Sequence, residues 1–143
     1  MSPAVGAGDN HRVTHERRPV SAERAPEALG PYSHAVVANG LLFCSGQVPI
    51  DPETNELIDG GAGAQTRRCL DNLAAVCDAA GAQLGDAVRL TIYAVDLAGD
   101  WAEINEAYGT YFSEGPPARA AIGVAALPKG ARVEVDAIVA LPD

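Results

Sequence analysis

Two groups of side chains in this sequence could bind or transform a small acidic molecule. The first lies in GPYSHAV, Gly30 to Val36, where Tyr32, Ser33 and His34 follow a Gly-Pro break. The second is a charged pair, Arg119 in PARAAIGV and Glu134 in ARVEVDAIVA. A guanidinium with small neighbours, here Ala120 and Ala121, leaves room for a ligand carboxylate and can give it two parallel hydrogen bonds. A carboxylate close by can orient or deprotonate a water. The plainer reading is a cross-strand ion pair of modest energy, and spacing alone favours it.

The other polar groups carry less. Ser33 and His34 are adjacent, so on a strand they point to opposite faces and do not make a nucleophile–base couple. No GxSxG sequence is present, and no Ser-His-Asp arrangement can be inferred. Ser45 in FCSGQ ends a strand before Gly46, and a glycine there lets a ligand approach the backbone N–H. Gly60, Gly61 and Gly63 do not follow a strand in the dinucleotide pattern, so GGAGAQ reads as a helix lead-in.

These residues need elements to position them. Arg18 to Ala22 reads as a first strand and Ala35 to Ala38 as a second. Asn39-Gly40 is a strong hairpin signal, because both residues tolerate positive φ. Leu41 to Ser45 returns as the partner, and a Pro/Asp/Gly-rich loop follows. Ala62 to Ala80 is a helix with Leu70, Leu73, Cys77 and Ala80 on its apolar stripe, ended by Gly81. Val88 to Asp96 alternates as a strand. A second helix is predicted to begin at Asp100, with Glu103 completing a capping box, and to bury Trp101, Ile104, Ala107, Tyr108 and Tyr111. Strands Ala118 to Val124 and Ala131 to Leu141 close the chain.

The order β-β-β-α-β-α-β-β implies an α+β sandwich, one mixed sheet with two helices on one face. The other face has no cover within the chain, so burial between subunits is expected. Alternation sets Arg119 with Ala121 and Gly123, and Glu134 with Arg132 and Asp136. The two consecutive last strands are expected to lie close together.

Composition limits the partners. The chain has 143 residues, 48% of them hydrophobic and 20% charged, and a formal net charge of -9. Residues 25–143 alone carry six basic and sixteen acidic side chains. That balance argues against nucleic-acid binding, which needs a basic face. No apolar run approaches the ~20 residues of a membrane helix, and residues 1–17 lack the apolar core of a secretory signal. They read as a flexible N-terminal tail ahead of a single domain, 18–143. Three cysteines, Cys44, Cys69 and Cys77, argue against a disulfide framework, and no spacing suggests a metal site, the tail pair His11 and His15 included.

Taken together, GPYSHAV, FCSGQVPIDPETNEL, RRCLDNLAAVCDAAGAQLGDAVRLTIYAVDL, PPARAA and LPKGARVEVDAIVA resemble the RidA family, also called the YjgF family, from about Val20 to Ala140. The resemblance implies a chorismate-mutase-like fold and a cytoplasmic homotrimer with a ligand cleft at each subunit interface. It implies hydrolysis of 2-imino and 2-enamino acids, of the 2-aminoacrylate and 2-iminopropionate type, to 2-oxo acids and ammonia, without a cofactor. Arg119 matches the arginine that holds the substrate carboxylate, and Glu134 the glutamate that positions the attacking water. Tyr32 and Ser45 match pocket residues, and Gly46 offers a backbone contact. Ala121 replaces the family's pocket cysteine, so only a backbone carbonyl role is expected there. His34 and the short 112–117 connection are further departures. They leave open a divergent family member acting on another imine or enamine, or a non-catalytic trimer that binds small ligands or acts like a chaperone. A ribonuclease role, attributed to relatives, is least favoured by the acidic charge.

Overall fold

The computed structural model describes residues 16–143, so the expectations for residues 1–15, His11 and His15 among them, lie outside the described residues. Among the described residues, eight strands and two α-helices follow one another as β1 (Arg18–Val20), β2 (Ala35–Ala38), β3 (Leu41–Gln47), β4 (Ile50–Asp51), β5 (Glu56–Leu57), α1 (Ala62–Ala79), β6 (Ala87–Ala94), α2 (Leu97–Gly109), β7 (Ala118–Gly123) and β8 (Val133–Ala140). Six strands form one sheet in the order β1-β2-β3-β8-β6-β7. Only β6 and β7 pair in parallel, as their connection through α2 requires; every other neighbouring pair is antiparallel. Both helices cover one face of this mixed sheet. The α+β sandwich expected from the sequence is therefore present.

The local signals act largely as read. Asn39 and Gly40 both have positive φ, 52° and 76°, and join β2 to β3. Gly81, at φ 76°, ends α1, and the Ala82 N–H caps the Cys77 carbonyl at 2.9 Å. Leu70, Leu73 and Cys77 of α1 and Ile104 of α2 are wholly buried against Leu42, Leu90, Ile92, Val133, Val135 and Val139 of the sheet.

Three expectations need correction. The Pro/Asp-rich loop contains a short ribbon, β4 paired with β5. Buried Asn72 of α1 ties it down, donating to the carbonyls of Val48 at 3.2 Å and Ile50 at 2.9 Å. Second, α2 begins one turn early. Asp96 caps it by accepting from the Gly99 N–H at 3.2 Å. Asp100 instead turns inward to Arg132, and Glu103 accepts from Gly63 N–H of α1 at 3.3 Å. A two-point bond to the Arg132 guanidinium outweighed the cap position for Asp100.

The third correction matters most for function. β7 and β8 are not neighbours, because β6 lies between them. Residues paired across a sheet share a face. Arg119 pairs with Leu90, which pairs with Ala137, and Leu90 and Ala137 are buried under the helices. Glu134 pairs with Tyr93, one step out of phase with Leu90, and so occupies the opposite face. The simple Arg119–Glu134 ion pair is excluded within one chain. The helix-free face is also less apolar than expected. Phe43 and Ile122 are exposed there, but Arg89, Tyr93, Glu134 and Asp136 share it.

Candidate functional site

Strand β3 is irregular where it matters. Cys44 pairs with Ala137 and Gln47 with Val135, so Ser45 and Gly46 form a bulge against β8. A bulge re-aims side chains, and this one opens room for Glu134. A Cβ built on Gly46 would collide with Glu134 Oε2 and come within 2.9 Å of its Cδ. Only glycine at 46 lets the carboxylate lie across the β3 backbone. Gly46→Ala is therefore expected to displace the flexible Glu134 carboxylate rather than the strand. Any activity that depends on Glu134 should fall by ~10² or more, with stability changed by no more than ~1 kcal/mol; turnover and urea denaturation of one preparation separate the two effects.

Glu134 opens into a cleft of about 610 Å³ whose lining includes Leu29, Pro31, Tyr32, Ser45, Gly46 and Pro128. Four of the residues singled out in the sequence, Tyr32, Ser45, Gly46 and Glu134, thus meet. The Ser45 hydroxyl donates to the Ser33 carbonyl at 2.7 Å, and the Tyr32 hydroxyl accepts from the Leu29 N–H at 3.0 Å. These bonds hold the 29–33 turn against the bulge. Tyr32 remains 44% exposed, as a wall open to one side.

Half-burial pushes the Glu134 carboxyl above its usual range, and Asp136 on the same face adds to the shift. Asp136 in turn accepts from the Tyr93 hydroxyl at 3.0 Å. A carboxyl raised in the folded state makes folding harder once it ionises, so its cost appears as pH rises through the folded value and is absent below the unfolded one. Glu134→Gln should therefore raise the urea midpoint at neutral pH, and this advantage should vanish below about pH 4.

His34 is not at the chemistry. The buried ring accepts from the Ala22 N–H at Nδ1, 2.9 Å, and contacts the Pro26 carbonyl through Nε2 at 2.8 Å. A backbone N–H can only donate, so Nδ1 carries no proton and Nε2–H is the donor. His34 is the staple that pins the 22–26 segment to β2. His34→Ala leaves two backbone groups without partners and is expected to cost ~3 kcal/mol in urea unfolding. No sequence signal identified this role, because both partners are backbone atoms of a loop.

Arg119 and Ala121 lie away from the cleft, on the helix side of the edge strand β7. Arg119 is exposed, and its Nη1 donates to Asn105 Oδ1 at 2.8 Å. The same guanidinium rests over the rings of Trp101 and Tyr108, 4.9 and 4.8 Å from their centroids. Among the described residues it makes no ion pair. Sequence reasoning named Trp101 and Tyr108 as core and did not name Asn105.

Fold and cleft together define a class: a small α+β sandwich with a glycine-seated carboxylate on one sheet face and an uncompensated arginine on the other. Comparison with known proteins gives the family. A family model described as Endoribonuclease L-PSP matches residues 22–141. The chain is 48% identical over 124 residues to Protein DfrA of Myxococcus xanthus, covering 85% of this chain and 94% of that one. It is 43% identical over 122 residues to a 2-iminobutanoate/2-iminopropanoate deaminase of Mus musculus, covering 85% and 90% of the two chains. The crystal structure of RidA from the Antarctic bacterium Psychrobacter sp. PAMC 21119 superposes with a TM-score of 0.82 at 42% identity, over 87% of this chain and 99% of that one. This chain belongs to the Endoribonuclease L-PSP family, the RidA family. No helix among the described residues is long and apolar enough to cross a membrane.

Proposed function

We propose that this protein hydrolyses reactive 2-imino acids and their enamine tautomers, of the 2-aminoacrylate and 2-iminopropionate type, to 2-oxo acids and ammonia. The observation that carries the reading is the seat of Glu134, a half-buried carboxyl of raised pKa laid over Gly46 in a cleft walled by Tyr32 and Ser45. A carboxylate with a raised pKa is a better base for water at neutral pH than an ordinary one. The mouse relative's name supports the same chemistry.

Arg119 binds the substrate carboxylate. Since Arg119 and Glu134 face opposite sides of one sheet, the arginine at a given cleft comes from a second copy. The protein works as a cytoplasmic homotrimer with a cleft at each interface. The backbone at Gly46 and at Ala121 completes the pocket. Glu134 takes a proton from water as the oxygen adds to the imine carbon. That proton passes to nitrogen to give the carbinolamine; Glu134 then moves the hydroxyl proton to nitrogen as the C–N bond breaks, so that ammonia leaves and the 2-oxo acid remains. No cofactor takes part.

The test is direct: 2-iminobutanoate is generated in situ by an amino-acid oxidase and its decay followed with and without the protein. A rate above the uncatalysed one, lost in Arg119→Ala and Glu134→Ala, is expected. A wild-type rate equal to background would overturn the proposal in favour of a ligand-binding trimer or a different imine substrate.

A further inference from the structure

Arg119 is held by three side chains of α2, and all three are neutral: Trp101, Asn105 and Tyr108. Their spacing puts them on one helical face, below the edge strand that carries the arginine. Two rings fix the guanidinium plane by cation–π contact, and one amide oxygen fixes its rotation about that plane. The amide uses a single Nη1 hydrogen, so four of the five N–H donors remain for a ligand. An acid at position 105 would accept the same bond more strongly, but it would cancel the charge that a ligand carboxylate needs. Tyr108 adds a second clue. Its hydroxyl is buried with no hydrogen-bond partner, although the residue is only 5% exposed. What the fold uses there is the ring.

We infer that Trp101, Asn105 and Tyr108 are positioning residues that preorganise Arg119 for carboxylate binding while leaving its positive charge uncompensated. This rests on the reading of Arg119 as the carboxylate site. A residue that simply packed α2 against β7 would tolerate Asn105→Asp, which is nearly isosteric and keeps the acceptor. The inference requires the opposite. Asn105→Asp raises KM for 2-iminobutanoate, and Kd for the product 2-oxobutanoate, by about tenfold or more, with kcat and urea stability little changed. Trp101→Leu and Tyr108→Leu raise both constants by about two- to fivefold. Tyr108→Phe, which keeps the ring face and removes only the orphan hydroxyl, restores the wild-type values.

The experiment measures calorimetric binding of 2-oxobutanoate and steady-state hydrolysis on the full chain, with Arg119→Ala alongside. Relaxation of the ¹⁵N-labelled Arg119 Nε–H reports clamp rigidity without any ligand. Rigid Nε–H in the wild type and Tyr108→Phe, and mobile Nε–H in Trp101→Leu, supports the clamp. If Arg119→Ala abolishes binding while Asn105→Asp and Trp101→Leu bind as wild type, the clamp is wrong and the function stands. If Arg119→Ala binds and turns over as wild type, the carboxylate assignment falls and the clamp's purpose falls with it.

Discussion

Arg119→Ala and Glu134→Gln chains, each inactive alone, are expected to regain about a quarter of wild-type turnover when co-expressed in equal amounts and co-purified. The expectation comes from strand order. In one chain Arg119 shares the helix-side face with Leu90, and Glu134 shares the opposite face with Tyr93. No side-chain rotation carries either across the sheet. If both act on one substrate, each cleft takes its glutamate from one copy and its arginine from another. In a random mixture half the copies supply an intact Glu134 and half an intact Arg119, so one cleft in about four is complete. Each variant alone has only defective clefts, and loss of a positioned base alone lowers the rate by ~10²–10⁴-fold. The recovered signal therefore stands on a near-zero background. Differently tagged copies, purified in tandem, allow turnover to be compared with each parent. Absence of recovery in verified mixed oligomers would place both residues in the same copy's site, contrary to the faces they occupy.

Arg132→Ala is expected to produce a clear loss of stability, because it removes the partner of a buried carboxylate. Arg132 donates to Asp100 through Nε at 3.1 Å and Nη2 at 2.6 Å, a two-point contact between the entry to β8 and α2. The Asp100 side chain is 6% exposed against 44% for Arg132, so removing the guanidinium strands a buried carboxylate. The partly exposed arginine moderates the penalty, because water can enter where it stood. Urea unfolding of Arg132→Ala, Asp100→Ala and the double variant measures the coupling. The double variant should be more stable than Arg132→Ala, since it buries no lone charge. Equal stability of wild type and Arg132→Ala would mean that Asp100 is solvated without its partner.

Local interactions explain which parts were legible. The Asn39-Gly40 hairpin, the Gly81 stop and the apolar stripe of α1 depend on residues a few positions apart, and their spacing is written in the chain. The capping of α2 was ambiguous in the same local terms. Asp96 and Asp100 are both acceptable caps, and the choice was made by Arg132, 32 residues beyond Asp100. His34 was illegible because its partners are the backbone at 22 and 26. Asn105 was illegible because nothing in EINEAY says that an arginine from the next strand will land on it.

By itself the sequence determined the order of the main-sheet strands and the two helices, the hairpin and the alternation that sorts each strand into two faces. Its quoted motifs, by resemblance, also named Tyr32, Ser45, Gly46, Arg119, Ala121 and Glu134 as residues of interest. Alternation says which residues of one strand share a face, but not which face of the sheet that is, nor which strand lies alongside. The tertiary structure decided both. Parallel pairing of β7 with β6, and insertion of β6 between β7 and β8, sent Arg119 to the helix side and Glu134 to the open side. Strand order is settled by long-range burial of the Leu90, Ala137 and Val139 face under α1 and α2, a balance over the whole core that no short window of sequence contains.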